Sequence, residues 1–97
     1  MYWNLEAQHD PRKSFYGKAI CYLENGVYTL QSYATKVATL DPREGVIWTG
    51  GRYSATTSRH VWEFMQQMGV RLDSEDWGRA VKLTAEDVRP NYSGKIN

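Results

Sequence analysis

The 97-residue sequence has one cysteine, three prolines and no excess of either charge, with twelve Lys and Arg against eleven Asp and Glu. One cysteine excludes an internal disulfide framework and a cysteine-rich zinc site. No apolar stretch approaches the ~18 residues of a membrane-spanning helix, and no signal-peptide core is seen, so a cytoplasmic protein without membrane contact is expected. The balance of charge holds on both sides of residue 49, at five cations to five acids and then seven to six. A polybasic arm and an acidic mimic are therefore excluded as linear features, although a folded patch can still gather one sign. Aromatic residues are plentiful, with seven Tyr, four Trp and two Phe. The length suits one domain, read as 1–97 with flexible ends at 1–13 and 91–97.

Met1 to Gln8 carries Tyr2, Trp3 and Leu5 and reads as an edge strand or a loop laid on the body. Phe15–Leu23 and Val27–Tyr33 are rich in β-favouring residues and flank Asn25-Gly26, a dipeptide suited to the positive φ of a type I′ turn. That turn places Leu23 opposite Tyr28, Cys21 opposite Leu30 and Ala19 opposite Ser32 on the face assigned to the core. The second strand is expected to run on through Ala34–Leu40, since nothing breaks it before Asp41-Pro42. Val46–Thr49 supplies a further strand, ended by Gly50-Gly51.

The period then changes. Val61, Phe64, Met65 and Met68 form an apolar stripe at helical spacing, predicting a helix over about 57–68. Ser54, Thr56, Thr57 and Ser58 are N-cap candidates, and Gly69 suits the C-terminal end. Arg59, His60, Glu63, Gln66 and Gln67 fall on the outward side, with Trp62 on the flank. Beyond Gly69, the acids at 73–76 favour the first turn of a short helix around Trp77, Ala80–Leu83 a short strand, and Thr84–Asp87 a capping box with Asp for Glu. The expected fold is α+β, a three- to four-stranded antiparallel meander with one principal amphipathic helix on one face.

Three segments, Ser14-Phe15-Tyr16-Gly17-Lys18-Ala19, Leu30 to Ala38 and Tyr53 to Phe64, resemble a small family of proteins encoded by phages, plasmids and integrative elements. That family carries an SYxTxVA…YSATTxRHIxEF pattern, and Val61 stands here at its isoleucine position. The resemblance spans about residues 14–69. It implies no activity, only a context inside a bacterial host.

The hydroxyls and cations from Gly50 to His60 gather at the expected helix start, where free N–H groups and the helix dipole favour anions. Helix capping and solvation account for the same residues without a ligand. No Gly-Lys-Ser/Thr follows a phosphate-loop spacer, which disfavours nucleotide hydrolysis. His60 and Glu63 could share a metal, but only His9 and Cys21 remain as soft ligands, so neither metal nor cofactor is expected. Cys21 sits on the buried face, unsuited to act as a nucleophile with His60. The pairs Glu75-Asp76 and Glu86-Asp87 read as helix-start acids rather than acid–base couples.

Non-catalytic binding is thus the expectation, through Arg52, Tyr53, Arg59, His60 and Trp62. The partner is read as a bacterial host or element-encoded protein, in the specific form of an inhibitor of host defence such as CRISPR. Nucleic-acid binding for regulation or element processing is the second reading, weakened by the near-zero net charge. Several aromatics, including Tyr16, Tyr22, Tyr33, Trp48, Tyr53 and Trp62, are expected to spread over the sheet's outer face, partly exposed.

Overall fold

A computed structural model describes residues 1–11, 14–94 and 96. Six strands form one antiparallel sheet whose spatial order follows the chain. They are β1 (Tyr2–Asn4), β2 (Ala19–Glu24), β3 (Val27–Ser32), β4 (Thr35–Asp41), β5 (Val46–Thr49) and β6 (Ala80–Lys82). One helix, α1 (Ala55–Met68), packs on the face that carries Ala19, Cys21, Leu30, Ala38, Leu40 and Ile47. The α+β class and the helix-on-sheet packing agree with the sequence. The strand count does not, and the two extra elements have identifiable origins.

The β2–β3 hairpin forms in the expected register, Leu23 with Tyr28, Cys21 with Leu30 and Ala19 with Ser32. Asn25 and Gly26 lie at φ 53° and 81°, as the tight turn requires. Arg43 crosses over this turn and donates from its guanidinium to the Asn25 carbonyl at 2.9 Å. The second strand, however, does not run on. It folds back after Ser32 through Tyr33-Ala34, and Ser32 pairs with Thr35. Tyr33 takes a positive φ of 56° there, a conformation for which the sequence offers no glycine, asparagine or aspartate.

Val37 is the extra residue of a bulge in β4, between the Gln31–Lys36 and Leu30–Ala38 pairs, so Val37 and Ala38 are both buried. Its carbonyl accepts from the Gly50 amide and the Tyr53 hydroxyl. The two edge strands, β1 and β6, have three residues each. β1 joins β2, the edge-strand alternative for Met1 to Gln8 rather than the loop, and Leu5 behind it is buried. β6 joins β5 from the expected Ala80–Leu83 segment.

Ser54 is the helix cap, its hydroxyl accepting from the Thr57 amide, and Gly69 closes the other end at φ 77°. The helix therefore begins two residues before the expected start. Val61, Phe64 and Met65 are buried as the stripe requires, and Met68 is partly so. Single turns of 3₁₀ helix occur at Ser74–Asp76 and Ala85–Asp87. In the second, the Thr84 amide donates to the Asp87 carboxylate, the returning arm of the expected capping box. The C-terminal stretch is anchored where it is described: the Tyr92 hydroxyl donates to the Pro42 carbonyl, and Ile96 packs on the core. No helix among the described residues is long and apolar enough to cross a membrane.

Candidate functional site

The five residues expected as one binding surface divide between two concavities on different flanks of α1. Arg52, Tyr53 and Trp62 line the first with Gly51, Ser58, Ser74, Glu75 and Trp77, a groove of about 640 Å³. Arg59 and His60 line the second with Ser14, Phe15, Tyr16, Lys18, Tyr33 and Thr56, a pocket of about 190 Å³.

Glycines build the groove. A Cβ on Gly50 would lie 1.7 Å from the Tyr53 hydroxyl, so only glycine admits that ring over the strand end. Gly51 and Gly78, both at positive φ, approach each other closely, and the Gly78 amide donates to the Thr49 carbonyl at 3.0 Å. This contact brings Trp77 back beside the helix, its ring centroid 5.3 Å from that of Trp62. Trp62 stays 40% exposed. The Trp77 indole Nε1 is buried without a hydrogen-bond partner. Trp77 was missed from the sequence because no local pattern says that a residue fifteen positions after Trp62 returns to it.

The pocket is built around His60. The sequence placed this residue outward, and the structure corrects that: its side chain is fully buried. The outward reading fails because α1 is covered twice, by the sheet on one side and by Glu6, His9, Asp10 and Phe15 on another, which widens its buried face beyond the apolar stripe. The Ser32 hydroxyl lies 2.7 Å from His60 Nδ1 and 3.0 Å from the Thr57 hydroxyl. His60 Nε2 is buried and has no partner. An unsatisfied buried group of this kind costs about 1–3 kcal/mol. Burial lowers the imidazole pKa from its ordinary value, while the charge of Asp10 acts in the opposite sense.

Phe15 meets the His60 ring edge-on at 4.6 Å between centroids, and Tyr33 lies tilted at 6.0 Å. Tyr16 and Tyr33 are 84% and 53% exposed, and both hold positive φ. Non-glycine residues in such conformations cost about 1–3 kcal/mol each and cluster at functional sites. Tyr16 is fixed in its turn by the Lys18 amide donating to the Phe15 carbonyl and by its own amide donating to the Ser14 hydroxyl. Every residue lining the pocket comes from one of the three segments that carry the sequence resemblance. Folding thus gathers separated blocks into one place.

Glu63, also expected outward, is 2% exposed. Its carboxylate accepts from the His9 amide at 2.6 Å, His9 Nδ1 at 2.7 Å, the Asp10 amide at 2.9 Å and Gln67 Nε2 at 2.8 Å. Burial alone would raise its pKa, but these bonds together hold it below the ordinary value. His60 and Glu63 therefore face different partners rather than one metal. Among the described residues, no three His, Cys, Asp or Glu side chains come together as ligands. Burial pushes the Cys21 thiol up to about 12, which leaves it protonated and inert at neutral pH. The Ser32–His60 contact has the atoms of a nucleophile–base pair, but Ser32 does not line the pocket and is 2% exposed.

Residues 3–79 match the profile of a family of unknown function, DUF8033. The chain belongs to that family. The match runs beyond both ends of the resembling stretch and takes in Trp3 and Asn4 of β1, both concavities and Trp77 of this DUF8033 chain. No curated protein and no solved structure matches it.

Proposed function

We propose that this DUF8033 chain is a non-catalytic binding protein whose groove beside α1 docks another protein. One observation carries the reading: Trp62 and Trp77 stand 5.3 Å apart in a concavity that also presents Arg52 and Tyr53. Trp, Tyr and Arg dominate the energetics of protein interfaces, particularly where they converge in one place.

Binding along a nucleic-acid strand finds less support. Lys36, Arg52 and Arg59 belong to three different concavities, with Lys18 beside Arg59, instead of one basic track. The sequence resemblance supports a more specific form: a protein of a phage or mobile element, acting in the bacterial cytoplasm on a host protein, as an inhibitor of host defence.

The test is affinity capture from bacterial lysate with the wild type and with Trp62→Ala, each with and without nuclease. A protein retained by the wild type after nuclease treatment and lost with Trp62→Ala supports the reading. Loss on nuclease treatment overturns it, as does capture that Trp62→Ala leaves unchanged. Salt gives a second check. Several phosphate contacts would weaken binding by about 10³-fold or more between about 50 and 200 mM salt, and a shallow slope is expected here.

A further inference from the structure

The pocket over His60 lies on the other flank of α1 from the groove and is independent of the protein-docking reading. It combines three features. Its walls are aromatic, from Phe15, Tyr16 and Tyr33; the buried His60 imidazole lines it with one nitrogen unpartnered; and Lys18 and Arg59 line it with no Asp or Glu among the lining residues, although the charge of Asp10 reaches His60. Thr56, in the first turn of the 14-residue α1, also lines it, where the helix dipole adds positive potential.

These features impose a chemistry. The aromatic rings call for a flat ring that can stack on or against them. The open His60 nitrogen calls for a hydrogen-bonding edge at the inner end of that ring. Ser32 has one proton to share between Thr57 and His60 Nδ1, so Nε2 donates or accepts according to the tautomer, and a nucleobase edge offers both complements. The two cations call for a negative group at the outer end, and arginine in particular suits phosphate. A volume of about 190 Å³ accepts one ring system, with its charged substituent left at the mouth. An acidic peptide side chain would use the cations but leave the stacking walls and the inner nitrogen unmatched.

We infer that the His60 pocket binds one nucleotide unit, its base held among Phe15, Tyr16 and Tyr33 against His60 Nε2 and its phosphate on Lys18 and Arg59. Tyr16 and Tyr33 keep their rings at the rim because their backbone is locked in tight turns, so the walls exist before the ligand arrives.

The experiment titrates the full chain with each nucleoside 5′-monophosphate, the parent nucleosides, inorganic phosphate and a 5′-phosphorylated oligonucleotide, followed by amide and aromatic NMR correlation spectra. At least one monophosphate should give saturable shifts at Tyr16, Tyr33 and His60 with a Kd at or below about 1 mM. Its nucleoside and free phosphate should each bind about 10-fold or more weakly. Equal affinity for monophosphate and oligonucleotide assigns the free nucleotide, while tighter oligonucleotide binding with the same shifts assigns a strand end; both uphold the pocket. Lys18→Gln and Arg59→Gln should each weaken binding by about 10-fold. Tyr16→Gly should weaken binding while raising the Tm, because glycine relieves the positive φ, and a merely structural ring would not separate the two readouts. The inference is overturned if no monophosphate shifts His60, if phosphate alone binds as well, if the shifts fall on Trp62 and Trp77, or if an acidic peptide occupies the pocket and nucleotides do not.

Discussion

Glu63 and His60 stand three residues apart on α1, both buried and polar, and their surroundings differ in one respect. Every approach to the Glu63 carboxylate is filled: two backbone amides, an imidazole and an amide side chain surround it. His60 has Ser32 on one nitrogen and nothing on the other. A saturated buried charge acts as a latch, here holding residues 8–10 against the helix. An unsaturated buried polar group marks a place where the fold stops short of completing itself. Its neighbours carry further unrelieved cost, in two tyrosines held at positive φ. Burial alone would class the two residues together, and their hydrogen-bond inventories separate them.

Phe64, which directly follows Glu63 in sequence and is fully buried in the core, sets a scale for both. Phe64→Ala should cost about 3–5 kcal/mol in denaturant unfolding, as a large-to-small change at a packed site. Glu63→Ala should come close to that, at about 3 kcal/mol, because four donors lose their acceptor at once and the N-terminal segment loses its anchor. A cost below about 1 kcal/mol would show that the latch is ornamental, since surface-like changes stay in that range.

Acid should resolve the two residues in separate windows. The Glu63 pKa is held below its ordinary 4.5, so the carboxylate stabilises the fold fully above that value and the contribution disappears as pH falls through the lower folded pKa. His60 is a base whose folded pKa is lowered from 6.5. Between the two values the unfolded chain binds the proton that the folded one refuses, and stability falls as pH drops below 6.5. Thermal unfolding followed from pH 8 to pH 3 should therefore show two successive losses. His60→Phe should abolish the upper one and Glu63→Gln the lower one. A single loss unaffected by either substitution would refute both assignments.

At neutral pH, His60→Phe should cost less than about 1 kcal/mol. The substitution keeps a flat apolar ring, removes the orphan nitrogen, and leaves Ser32 bonded to Thr57. The same change should abolish nucleotide binding in the pocket. Stability near wild type with binding lost is the signature of a group retained for a ligand, and the reverse would make His60 a core residue like Phe64.

These distinctions were unevenly legible in the sequence. Asn25-Gly26 marked a hairpin because only a few residue types tolerate its turn, and the register of β2 and β3 followed. Tyr33-Ala34 makes an equally tight turn with residues that resist it, so the strand appeared to continue. The cost is borne by tertiary structure, which no local pattern records. The spacing of Val61, Phe64, Met65 and Met68 located the helix and its sheet-facing side. It placed Glu63 and His60 outside because it assumed one covering layer, whereas His9, Asp10 and Phe15 supply another. Ser54 and Gly69 were readable as caps for the same reason that Asn25-Gly26 was: a specific backbone need met by a specific residue. The aromatics expected on the outer face went mostly elsewhere. Tyr16 and Tyr33 wall the pocket, Tyr53 and Trp62 the groove, and Tyr22 and Trp48 remain on the outer side of the sheet by register.

The smallest effect on stability should come from the two arginines, and it gives the sharpest division between the two flanks of α1. Arg52 is exposed at the groove and Arg59 half-buried at the pocket, and neither belongs to the buried core. Arg52→Ala and Arg59→Ala should each shift unfolding by no more than about 0.5 kcal/mol, the range of substitutions away from core and caps. Their binding consequences should not overlap. Arg52→Ala should weaken the captured protein partner by about 2 kcal/mol, the loss expected when an interface arginine is truncated, and leave nucleotide titrations unchanged. Arg59→Ala should do the opposite, because its side chain borders His60 and not the tryptophan pair. If both variants impair both ligands equally, the two concavities form one continuous surface around the helix start, as the spacing of these residues in the sequence suggests. If each impairs one ligand, α1 separates two recognition sites that share a fold and little else.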